Sequence, residues 1–175
     1  MTASKKERNH FLRLRTLTVA VAFSAILKAT AAMALTEKEA ATVVHLLESL
    51  QDELGDFAYD TEVADDWFEQ DADNLGMIEA AGFNAETWRR ALDETYRGFL
   101  ANISEAEIRK SFADARRRAE HSTLTPEQKL AALRMVDEQE REVLKLRAEG
   151  KPHAHAVRFV TERLRALNEQ FRELE

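Results

Sequence analysis

Seven acids, Asp60, Glu62, Asp65, Asp66, Glu69, Asp71 and Asp73, crowd one short stretch of this chain. Carboxylate oxygens at that density could hold calcium or magnesium. Within the stretch, Asp71-Ala72-Asp73-Asn74-Leu75-Gly76 looks like the opening of an EF-hand loop. However, Leu75 stands at the fifth position and Gly82 where the closing glutamate belongs. The cluster therefore supports loose cation binding and not a structured site. His153 and His155 could share an ion only through an irregular first helical turn, because residues two apart on a helix point about 200° apart. His45 and Glu48 sit one turn apart, and no second such pair completes a bundle metal site.

Catalytic patterns are missing too. The chain has no Gly-x-Ser-x-Gly, no His-Glu-x-x-His and no glycine-rich phosphate loop. It has no cysteine, which excludes thiol catalysis, thiolate zinc sites and iron–sulfur clusters. With 32 acids present, paired carboxylates are uninformative. A carboxylate-dependent cell-wall hydrolase is thus an alternative that no motif supports. No cofactor is implied, and the residues favour a non-enzymatic protein.

The elements that would position any site are all helical; no run of alternating strand residues occurs. Thr36 to Glu39 forms a capping box, followed by a stripe of Val43, Leu47, Leu50, Leu54 and Phe57. An acidic helix over 61–73 buries Val63, Trp67 and Phe68, and a turn at Met77 to Ala81 ends at Gly82. Asn84 starts a helix with an aromatic face of Trp88, Tyr96 and Phe99, and Ser104 caps the next, which buries Ile108 and Phe112. Arg116, Arg117 and Arg118 close that helix, where cations favour the negative helix end.

Thr125-Pro126-Glu127-Gln128 starts a long helix that Gly150 terminates. Pro152 opens the last one, whose seam is Val157, Val160, Leu164, Leu167, Phe171 and Leu174. A connection of two residues predicts that these two helices pair as a long antiparallel hairpin, roughly 35 Å at 1.5 Å per residue. The expected fold is all-α, about five to six helices ending in that hairpin. Leu133, Val136, Val143, Val157, Val160, Leu164, Leu167 and Phe171 form the candidate partner-binding seam.

Residues 1–34 read as an export signal. Lys5, Lys6, Arg8, Arg13 and Arg15 precede the apolar run Thr16 to Leu27, and Ala32-Met33-Ala34 places small residues where a signal peptidase reads. The run is shorter than the roughly 20 apolar residues a membrane-crossing helix needs. Cleavage after Ala34 would leave 35–175 as a single all-helical domain in the periplasm or outside the cell. That domain divides into an acidic segment over 35–82, two middle helices over 84–121 and the hairpin over 125–174.

The signal holds 6 of the 25 basic residues and 1 of the 32 acids, so the mature charge is −12. Residues 35–87 carry 15 acids against the single base Lys38. So acidic a chain is a poor ligand for nucleic acid.

Leu124-Thr125-Pro126-Glu127-Gln128 resembles the Leu-Thr-x-x-Gln motif of the Spy/CpxP family of periplasmic proteins. Leu35-Thr36-Glu37-Lys38-Glu39 is a near miss for a second copy. The resemblance implies an exported, all-helical dimer acting as a chaperone or envelope-stress sensor. This chain departs from the family in being acidic and in having only Met77 and Met135 beyond the signal. The expected partner is another envelope protein or a second copy, with an acidic divalent-cation-responsive module as the alternative.

Overall fold

The computed structural model describes residues 34–55, 59 and 62–168. The segment before Ala34, where the sequence predicts an export signal, lies outside these, as do Phe57, Asp60, Phe171 and Leu174. Every regular element among the described residues is helical. They are α1 (Glu37–Leu54), α2 (Val63–Asn74), α3 (Met77–Ala80), α4 (Ala85–Asn102), α5 (Glu105–His121), α6 (Pro126–Glu149), α7 (Ala154–Val157) and α8 (Thr161–Leu167). None is long and apolar enough to cross a membrane.

Four of these helices begin at reciprocal capping boxes. Thr36 with Glu39, Asn84 with Thr87, Ser104 with Glu107 and Thr125 with Gln128 each satisfy two otherwise orphaned amides. The α1 stripe of Val43, Leu47 and Leu50 is buried as its periodicity requires. Gly82, at φ +94°, turns the chain from α3 into α4 in a conformation that side chains rarely adopt.

α4 is the central helix and packs against α1, α2, α6 and the segment after Gly150. Its face of Trp88, Ala91, Leu92, Phe99 and Leu100 is fully enclosed. The Trp88 indole N–H donates to the Ala64 carbonyl at 2.9 Å, which ties α4 to α2. Satisfying that polar edge is what lets so large a ring be buried completely.

The C-terminal third departs from the expected hairpin. α6 pairs with α5, and the chain beyond Gly150 lies on α1 and α4. That chain is also no continuous helix: 3₁₀ turns at Lys151–His153 and Arg158–Val160 interrupt it on either side of α7. Two glycines explain the path. A β-carbon on Gly98 would meet Val157 Cγ2 at 2.6 Å and the His153 carbonyl oxygen at 3.0 Å. One on Gly150 would press into the Arg97 carbonyl, with the Arg97 Cα only 3.1 Å away. The chain thus turns against the bare backbone of α4, where a side chain at either position would hold it off.

The 3₁₀ turns have a packing consequence. Three residues per turn set Val157 directly beneath Val160, so both reach the core before α8 carries Leu164 and Leu167 inward. A heptad seam that would otherwise supercoil around a partner helix is absorbed here by local tightening.

Candidate interaction surface

The predicted seam is not a free surface. Val157, Val160, Leu164 and Leu167 are buried in the chain's own core, and Leu133, Val136 and Val143 are half-buried on α6. The segment after Gly150 fills a groove between α1 and α4. Arg163 Nε holds Glu48 at 2.7 Å there, and the Asn102 amide donates to the Ala154 carbonyl at 2.9 Å. The apolar stripe was visible in the sequence, but its occupant was not.

The acidic stretch is divided by structure as well. Asp71 is buried, and its carboxylate accepts the Met77 N–H at 3.0 Å and the Ile78 N–H at 2.7 Å. It therefore caps α3 from the end of α2 instead of facing a cation. Asp65 pairs with Arg89 at 2.7 Å, while Glu62, Asp66, Glu69 and Asp73 are exposed. Among the described residues no group of three or more His, Cys, Asp or Glu could hold a metal ion. The turn carrying His153 and His155 is irregular, yet His155 faces Glu37 at 3.5 Å and His153 is half-buried beside α4.

One polar cluster escaped the sequence reading. Tyr59 stacks on Tyr96 with ring centroids 4.0 Å apart, and its hydroxyl donates to Asp93. Arg97 Nε also donates to Asp93, at 2.8 Å, and the same guanidinium meets Glu149. Burial raises the Tyr59 pKa, and the Asp93 carboxylate adds to that by favouring the protonated phenol. Burial pushes Tyr96 up to about 12. These phenols hold their protons tightly, so they suit a structural joint more than acid–base chemistry. The joint fastens the α1–α2 connection to α4 and α6.

A cavity of 280 Å³ lies beside the first turns of α1, lined in part by Lys38, Thr42, Phe83, Thr87 and Arg90. Thr42, Thr87 and Arg90 are already engaged. The Thr42 hydroxyl donates to the Lys38 carbonyl, Thr87 belongs to the α4 cap, and Arg90 holds Glu39 and Glu94.

The α5–α6 hairpin presents a different surface. Lys129 reaches the Glu120 carbonyl, Arg116 meets Asp137, and Arg147 donates to the Ile103 carbonyl, which fixes an antiparallel pair joined at Ser122–Thr125. No residue between Phe112 and Glu140 is buried. Along this arm, Leu124 is 42 % exposed, Leu130 53 % and Met135 60 %. These are three of the five large apolar side chains exposed among the described residues.

Leu124 shows why such exposure is unusual here. It precedes the Thr125 cap, where an apolar residue ordinarily packs on the fourth helical position as a hydrophobic staple. Leu35 precedes Ala40 in that register, Phe83 stacks edge-on against Trp88 at 5.8 Å, and buried Ile103 precedes buried Ile108. Leu124 has Lys129 at that position and no local partner to cover it. The Leu-Thr-x-x-Gln segment thus joins a satisfied cap to an uncovered leucine. No protein-family model, curated protein or solved structure matches this chain.

Proposed function

We propose that this chain is an exported, non-enzymatic helical protein whose α5–α6 arm binds another protein of the cell envelope. The observation that carries the proposal is the exposure of three large apolar side chains, Leu124, Leu130 and Met135, on a hairpin with no fully buried residue between Phe112 and Glu140. Large apolar side chains exposed along one arm of an otherwise well-packed domain are candidates for an interaction surface. The basic, apolar and small-residue order of positions 1–34 supports the export route. The resemblance of Leu124 to Gln128 to the Spy/CpxP motif supports a chaperone-like or adaptor role.

Affinity capture from envelope extract tests this, using the 35–175 chain and its Leu130→Glu, Met135→Glu double variant. A discrete envelope protein retained by the first and lost by the second is the expected result. Equal capture by both, or a chain that stays in the cytoplasmic fraction, would reject the proposal.

A further inference from the structure

Beyond Ile108 and Phe112 the α5–α6 arm is held to itself mainly by charge, where α1, α2 and α4 share a large apolar core. Glu140 is the one residue of α6 that is buried, with its side chain 10 % exposed. Its two carboxylate oxygens are clasped from α5: Arg109 approaches one at 3.3 Å and Arg116 the other. Arg109 is braced by Glu105 at 2.8 Å and Arg116 by Asp137 at 2.8 Å. Beyond this clasp the facing residues are small or half-covered, including Ala115, Ala119 and Leu133, and only Val136 touches the core. At the root the situation reverses. Val143, Leu144 and Leu146 pack on the core, Arg147 donates to the Ile103 carbonyl at 2.8 Å, and Gly150 lies against the Arg97 backbone.

We propose that residues 113–139 form an ion-locked strap that opens as a unit about its root, with the Arg109–Glu140–Arg116 clasp as the lock. Segments with few buried apolar contacts open at lower free energy than the core they project from. A buried carboxylate gripped by two guanidiniums supplies much of the hold that apolar burial supplies elsewhere. Opening would bare the half-covered Leu133 and Val136 without disturbing α1, α4 or the segment after Gly150. The strap does not depend on what the arm binds.

Hydrogen exchange on the isolated 35–175 chain tests the lock. Glu140→Gln keeps the shape and removes the charge, and the triple variant Arg109→Leu, Arg116→Leu, Glu140→Leu replaces the whole ionic clasp with apolar packing. In the Gln variant, amides of 113–139 should exchange roughly ten- to a hundredfold faster, the range for losing hydrogen bonds to a charged group. Amides in α1 and α4 should keep their rates. The triple variant should exchange more slowly in the same segment than the Gln variant, because replacing a whole buried ion cluster with apolar groups costs little, whereas altering one partner leaves the others unsatisfied. Unchanged rates in 113–139 of the Gln variant, faster exchange spread equally over α1 and α4, or a triple variant as fast as Gln would each overturn the lock.

Discussion

Replacing Gly150 with alanine separates two accounts of the C-terminal third by the sign of the effect. Gly150 has φ −75°, which alanine adopts freely, at the end of the 24-residue α6. If it only terminated a helix, the substitution would stabilise the protein by about 0.5–1 kcal/mol through better helix propensity and a less flexible unfolded chain. The structure instead puts a new methyl group into the Arg97 carbonyl. Relieving that overlap means moving α4 or the chain after Gly150, and overpacking of this kind costs about 1–3 kcal/mol or more. Because the obstacle is backbone, the upper end applies, and the net loss should be about 2 kcal/mol. For a domain of this size that lowers Tm by roughly 4–8 °C. Urea and thermal unfolding followed by circular dichroism would measure it. Gly98→Ala should behave the same way, since its obstacles are Val157 and the His153 carbonyl. A Gly150→Ala protein as stable as the parent, or more so, would refute the crossing of α4.

Other consequences are equally specific. Asp71→Ala should cost about 1–3 kcal/mol in urea unfolding, because it strips the acceptor from two amides, one of them buried. Thr95 is fully buried and its hydroxyl has no hydrogen-bond partner among the described residues, so Thr95→Val should raise stability by about 1 kcal/mol. Both tyrosines of the chain are held protonated in the fold, against an unfolded value of about 10. Their contribution to stability is therefore complete below pH ~10 and lost as the pH rises through about 12, where Tyr96 ionises in the fold. Phenolate absorbance should accordingly stay flat through the ordinary tyrosine range and then rise together with unfolding. Leu130→Glu should alter stability by no more than about 0.5 kcal/mol, as expected of a side chain more than half exposed.

What the sequence made legible was whatever is decided within a turn or two of chain. The boxes at Thr36, Asn84, Ser104 and Thr125 could be read directly, because donor and acceptor lie three residues apart. The stripes of α1 and α4 were legible for the same reason, as was the all-helical class. The role of Asp71 was not, since its carboxylate serves amides six and seven residues away in a different helix. The Tyr59–Asp93 pair spans 34 residues and the Arg109–Glu140 clasp 31, and local pattern says nothing at such range. The hairpin between α6 and the last segment failed differently. Periodicity correctly marked Val157 to Leu167 as a face to be covered, but a short connection implied the wrong cover. The deciding signal was Gly98, a glycine inside a strong helix, which marks close backbone approach and outweighs the proximity argument. The candidate surface was partly legible: Leu133 and Val136 on α6 were marked as part of a partner-binding seam, while the structure half-buries both and exposes Leu130 and Met135 beside them.

The central claim is that the arm is a protein-docking surface. Site-specific photo-crosslinking from position 130 in intact cells tests it most directly, with position 79, an exposed residue of α3, as the control. A discrete adduct with one envelope protein from position 130, absent from position 79, is the predicted result. No adduct at position 130, or the same adducts from both positions, would contradict the claim.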